Sequence, residues 1–157
     1  MKTILAPIDF SAVTDRVVAE AAALARALDG RVVLLNVTQP VTMVADYTAF
    51  LENIAEITDL AAKAATKELA KIEDELENQF TPAESIQLIG APVPAIIDQA
   101  KKLDADYIVI GSHGHTSFYD LLVGSTASGV LKRASCPVVV IPAPKTPAKK
   151  PAKKKRK

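Results

Sequence analysis

Two kinds of apolar spacing take turns along this chain, and that alternation restricts how it can fold. Short apolar runs of the buried-strand kind recur at Thr3–Ile8, Arg31–Val37, Ser85–Ile89, Asp106–Ile110 and Pro137–Ile141. Between them, apolar residues return at gaps of three or four, the period of a helix with one buried face. The first such stripe passes through Val13, Val17, Ala21, Leu24 and Leu28; Ser11 is its expected N-cap, and Asp29-Gly30 its expected stop, with the glycine left-handed. The second is long: Phe50, Ile54, Ile57, Ala61, Ala65, Leu69, Ile72, Leu76 and Phe80 form its predicted core face, while Glu73, Asp74, Glu75 and Glu77 face water. Pro82 ends it. The third covers Ala95 to Leu103 with Pro94 at the first helical position, and the fourth runs from Ser125 to Ala134. The order β-α-β-α-β-α-β-α-β predicts an α/β fold, a doubly wound five-stranded parallel sheet with helices on both faces, because right-handed crossovers return each strand in the same direction.

Composition narrows the function. The chain of 157 residues is one ordinary domain, 49% apolar and 24% charged. Aromatic residues are only 4% and tryptophan is absent, which argues against single-stranded nucleic-acid recognition by stacking. The single cysteine, Cys136, excludes an internal disulfide and a thiolate zinc cluster and reads as a small buried residue. No apolar run reaches membrane-span length, and Met1-Lys2-Thr3-Ile4-Leu5 leads into patterned sequence without a signal peptide, so a cytoplasmic location is expected. The formal charge of +1 averages two unlike parts. Residues 145–157 hold eight of the 19 basic groups and no acid, leaving 11 basic against 18 acidic groups elsewhere, a formal −7. A domain over 1–142 followed by a basic, Pro/Lys-rich flexible tail over 143–157 is the expected organisation, because the tail has no apolar residue large enough to offset its ordering entropy.

Chemistry in an open parallel sheet sits beyond the carboxyl ends of the strands. Two segments leave such ends with unusual residues: Pro7-Ile8-Asp9-Phe10-Ser11 after the first strand, and Gly111 through Thr126 after the fourth. Gly111 and Gly114 allow backbone to approach a ligand closely, and Gly124-Ser125-Thr126 then opens a helix whose free amides favour an anion. Strand, glycine loop and helix start in that order make a phosphate cradle. It is not the Walker cradle, since no lysine precedes Ser125, and it is not the dinucleotide fingerprint, since the first turn lacks glycine.

The spacing Gly-x2-Gly-x9-Gly-Ser, realised by Gly111, Gly114, Gly124 and Ser125, resembles the nucleotide-binding pattern of the universal stress protein family, in its ATP-binding subgroup. Ile4-Leu5-Ala6-Pro7-Ile8-Asp9-Phe10-Ser11, the stretch Ala105 to Gly114 and the stretch Val130 to Val138 add to the resemblance, which spans residues 2 to 142. The resemblance implies a fold of the adenine-nucleotide alpha-hydrolase type with strand order 3-2-1-4-5, and binding of ATP, or of ADP or AMP, with Mg2+. Asp9 would meet the adenine and ribose end, backbone near Pro7 and Val37 would flank the base, Gly111 and Gly114 would lie along ribose and phosphates, and Gly124, Ser125 and Thr126 would grip the phosphates. Independently of the resemblance, either His113 or His115, beside a phosphate, would contribute a hydrogen bond or partial charge. A homodimer through the fifth strand, at Val138, Val139 and Val140, is implied too. At Asn36 the chain departs from the histidine of many relatives.

Each of these roles has a plainer counterpart. The alternative for Asp9 is capping the first helix or stabilising the turn, though Ser11 already fills the cap; Ser125 and Thr126 serve also as a helix cap, and the two loop histidines His113 and His115 read as solvent-facing side chains rather than metal ligands. The tail reads either as a solubilising appendage or as an arm for polyanions or an anionic membrane surface. The expected function is that of an ATP-binding, nucleotide-responsive regulator in stress response, with no catalytic or metal-ligating residues assigned. Slow ATP hydrolysis or autophosphorylation is one alternative, and an interaction module with a vestigial pocket and a polyanion-binding tail is the other.

Overall fold

The computed structural model describes residues 1–40, 51–112 and 123–143, the side chains of residues 51–53 excepted. The elements follow in the order β1 (Lys2–Pro7), α1 (Thr14–Ala27), β2 (Gly30–Thr38), α2 (Leu51–Asn78), β3 (Ala83–Ile89), α3 (Pro92–Lys102), β4 (Tyr107–Gly111), α4 (Ser125–Leu131) and β5 (Val138–Ile141). All strand pairs are parallel, and the sheet order is β3-β2-β1-β4-β5, as the sequence led one to expect.

Side chains on a strand point alternately to its two faces, so a strand covered on both sides needs apolar residues at every position. β1 sends Ile4 and Ala6 into one core and Leu5 into the other; β2 divides Val32 and Leu34 from Val33 and Leu35 in the same way. The first core is closed by Val17, Ala21 and Ala25 of α1 with Leu69 and Leu76 of α2. The second is closed by Ile96, Ile97 and Ala100 of α3 with Ala127 and Val130 of α4. Each fully buried Leu, Ile or Val contributes on the order of 1.5–3 kcal/mol, so the central strands supply much of the driving force. Gly30 opens β2 where a Cβ would lie 2.5 Å from the backbone oxygen of Lys2, so only glycine lets β2 pair this closely with β1.

Several local expectations are corrected. Ser11 does not cap α1: its carbonyl accepts from Thr14 N at 3.0 Å in a turn that precedes the helix, and Val13 occupies the N-cap. The left-handed residue after α1 is Asp29 (φ 50°), not Gly30. α2 and α3 close in Schellman motifs. Thr81 N bonds Leu76 O at 3.0 Å and Phe80 N bonds Glu77 O at 2.9 Å, with Phe80 at φ 57°. Ala105 N bonds Ala100 O at 2.9 Å and Asp104 N bonds Lys101 O at 3.2 Å, with Asp104 at φ 47°. Pro92, not Pro94, is the first residue of α3. The α2 stripe holds at Ala65, Leu69 and Leu76, but Ile57 (53% exposed), Ala61 and Phe80 (93% exposed) lie outside the core, and Phe50 lies outside the described residues. In the first half of α2, Thr58 and Ala62 are the buried positions, one residue round from the expected face. Glu73 turns back to accept a hydrogen bond from Ser85 of β3, instead of facing water.

Candidate functional site

β1 is the strand at which the order reverses: β2 lies on one side of it and β4 on the other. Chains leaving the carboxyl ends of β1 and β4 diverge and open a crevice at this switch point. A cavity of about 760 Å³ occupies it. Pro7, Asp9, Val37, Gly111, Gly124, Ser125 and Thr126 all line this one cavity. His113, Gly114 and His115 lie outside the described residues.

The β1 side is held from β2. Pro7 ends β1 in register with Leu35, and the next residue, Ile8, donates its N–H to Leu35 O at 2.9 Å. The Ile8 carbonyl accepts from Asn36 Nδ2 at 2.9 Å. Asp9 is exposed; its Oδ1 accepts from Ser11 N at 3.1 Å, which closes the turn and satisfies part of the plainer reading of this residue. Phe10 follows at φ 58°, a left-handed conformation costly for a bulky residue. Behind Asn36 a file of polar groups crosses the sheet. Thr38 Oγ1 donates to Asn36 Oδ1 at 3.3 Å, and Gln87 Nε2 of β3 donates to Thr38 Oγ1 at 3.1 Å and to Leu88 O at 2.8 Å.

The β4 side is held by Ser112. Its N–H bonds Ile141 O at 2.7 Å, its carbonyl accepts from Gly124 N at 2.6 Å, and its Oγ accepts from Ala143 N at 3.2 Å. That carbonyl fixes where α4 begins. Gly124 is the N-cap at φ −56° and ψ 160°, and the first intrahelical bond is Ser128 N to Gly124 O at 2.9 Å. Glycine has no side-chain acceptor, and among the described residues no side chain caps α4, which suits its first-turn amides to another acceptor. Arg16 Nη1 donates to Pro142 O at 2.6 Å and fastens the end of β5 beside this wall.

Sequence reasoning assigns no role to Thr38 or Ser112, which line the cavity, or to Gln87 behind it, and notes Asn36 at the wall only as a departure from relatives. A signal existed for Asn36: a lone amide inside an otherwise apolar parallel strand must find partners when buried, and it is 6% exposed. Elsewhere, burial raises the pKa of the half-buried Cys136 thiol above its ordinary value. Among the described residues no three His, Cys, Asp or Glu side chains gather as metal ligands, and no helix is long and apolar enough to cross a membrane.

A five-stranded parallel sheet in this order, with a crevice at the switch point, defines the adenine-nucleotide alpha-hydrolase-like class of α/β protein. Within that class the chain belongs to the universal stress protein family, whose model matches residues 1–142. It is 31% identical over 149 residues to universal stress protein MJ0531 of Methanocaldococcus jannaschii, covering 92% of this chain and 84% of that one. The solved universal stress protein UspA of Lactobacillus plantarum superposes with a TM-score of 0.79 at 27% identity, covering 89% of this chain and 97% of that one. A universal stress protein of Archaeoglobus fulgidus in complex with dAMP shares the fold with a TM-score of 0.62 at 24% identity, covering 89% and 97% of the two chains.

Proposed function

We propose that the chain binds an adenine nucleotide in the switch-point crevice and acts as a nucleotide-responsive regulator in stress response. The observation that carries this reading is convergence: Asp9, Val37, Gly111, Gly124, Ser125 and Thr126, drawn from four separate segments, line a single cavity. The donor set suits the ligand. Asp9 offers a carboxylate to the amino and hydroxyl hydrogens of a nucleoside, and the start of α4 offers amides and two hydroxyls to phosphate oxygens. The fold accommodates such a ligand in a relative, since the Archaeoglobus fulgidus protein was solved with dAMP. Mg2+ would arrive on the phosphates and neutralise part of their charge.

Three further parts extend the reading. The protein works in the cytoplasm as a homodimer that pairs the exposed edge of β5 at Val138, Val139 and Val140, and an edge strand with half-exposed valines favours such a partner. Residues 1–142 act as the nucleotide-binding domain. The basic segment that follows contacts polyanions through its eight cations.

Denaturing the purified protein and chromatographing what it releases tests the central claim, together with thermal shifts on adding Mg-ATP. ATP, ADP or AMP in the supernatant, or a higher Tm with Mg-ATP that Gly124→Val loses, supports the reading. No released nucleotide and no shift in the wild type would overturn it.

A further inference from the structure

We infer that Asn36 is the positioning residue for Asp9, and that a hydrogen-bond relay from β3 sets how sharply the crevice tells one nucleobase from another. The inference rests on the proposed nucleotide reading and adds the source of its specificity.

The relay runs in one direction. The Gln87 amide has two N–H donors and uses them on Thr38 Oγ1 and Leu88 O. The Thr38 hydroxyl thus accepts from Gln87 and has one proton left, which it gives to Asn36 Oδ1. With its oxygen fixed towards Thr38, Asn36 must present Nδ2 to the Ile8 carbonyl, at 2.9 Å. Each step removes a degree of freedom, and the buried amide of Asn36 cannot flip without losing both of its partners.

What the relay holds is the peptide just before Asp9. Ile8 is held at both ends, its N–H by Leu35 O and its carbonyl by Asn36. On the other side Phe10 sits at φ 58°, a conformation that persists only where its surroundings impose it. Asp9 is therefore suspended between a clamped residue and a strained one. Its carboxylate is the acceptor that meets a base carrying an exocyclic amino group and repels one carrying a carbonyl there. If Ile8 is released the turn relaxes, and the carboxylate is no longer aimed. Gln87 does not line the cavity, so any effect it has on base choice must travel through Thr38 and Asn36.

The test compares affinities for ATP and for inosine triphosphate, which replaces the amino group with a carbonyl, in the full chain. Thr38→Val deletes the hydroxyl at nearly constant shape, Thr38→Ser restores it, and Gln87→Met cuts the relay at its source. Loss of one net hydrogen bond predicts that the ATP preference falls about three- to tenfold in Thr38→Val and Gln87→Met. Recovery in Thr38→Ser is expected. Asn36→Asp, which sets an oxygen against the Ile8 carbonyl, should lose the preference most; if it fails to fold, the other two variants decide. Folded variants that keep the wild-type ratio, or that lose both ligands equally, overturn the relay while leaving nucleotide binding intact. A wild type that prefers neither ligand also overturns it. A wild type that binds neither removes the nucleotide reading itself.

Discussion

Lys2 and Asp106 meet at the amino end of the sheet, opposite the cavity, with Lys2 Nζ 2.6 Å from Asp106 Oδ1 and Thr3 N 2.8 Å from Oδ2. The hydrogen bond from the Lys2 ammonium, followed by that from the Thr3 amide, holds the Asp106 carboxyl below its ordinary pKa. The same bond to Asp106 raises the Lys2 ammonium above its own. A carboxyl lowered on folding favours the native state above the ordinary carboxylate range, and the benefit is lost as pH falls through the folded value. A lysine raised on folding favours it below the ordinary lysine range, and that benefit is lost as pH rises through the folded value. The stability gap between wild type and Asp106→Asn should thus be widest at neutral pH and close towards both extremes, by a small amount since the pair faces water. Urea midpoints across the pH range measure this, and a gap independent of pH would refute it. At this same scale Asn36 shows what a sequence displays and conceals. Its oddness within Arg31–Val37 was visible, and Thr38 stands two residues on in the same strand, but its partner Ile8 depends on how β1 and β2 align, which no single strand encodes.

Among elements, the helix ends were the hardest to read. The rule that helices stop at a left-handed glycine points to Gly30, yet the left-handed residues are Asp29, Phe80 and Asp104. Aspartate tolerates this conformation through its short polar side chain; phenylalanine does not. Phe80 is 93% exposed, so its ring gains no burial in return. Phe80→Gly should therefore stabilise the fold by about 0.5–1 kcal/mol, the strain of about 1–2 kcal/mol relieved less the extra chain entropy of glycine. Thermal melts check this; a lower Tm would mean the ring makes a contact that matters. The stripe of α2 was legible where sheet packing sets it, at Leu69 and Leu76, and misread near Ile57 and Ala61, where burial passes to Thr58 and Ala62. A period of three or four marks a helix but leaves its rotation uncertain by one position.

At the level of the whole molecule, the alternation of strands and helices sufficed for the double winding, because side chains on β1 and β2 must enter both cores. The strand order did not follow from the alternation and came through the resemblance, since pairing of β1 with β4 joins residues a hundred positions apart, such as Ile4 with Tyr107. The site was legible to the same extent: its glycines and hydroxyls stand out locally, whereas the hold of Ser112 on Gly124 and Ala143 exists only once β4 and β5 are side by side. The contacts around β5 also bear on the tail expected over 143–157: Pro142 and the tail's first residue, Ala143, are both fastened to the fold, and the cations begin at Lys145. Deleting residues 145–157 should leave Tm unchanged while removing salt-sensitive retention on heparin. A large drop in Tm would show that the segment packs against the domain.

The carbonyl of Ser112 accepts from the start of α4 and its hydroxyl from Ala143 N, the last backbone N–H before Lys145. One residue is thus a common mount for the wall of the crevice and for the root of the cationic arm. Any shift of the first turn of α4 therefore reaches the chain just beyond β5 through this one serine.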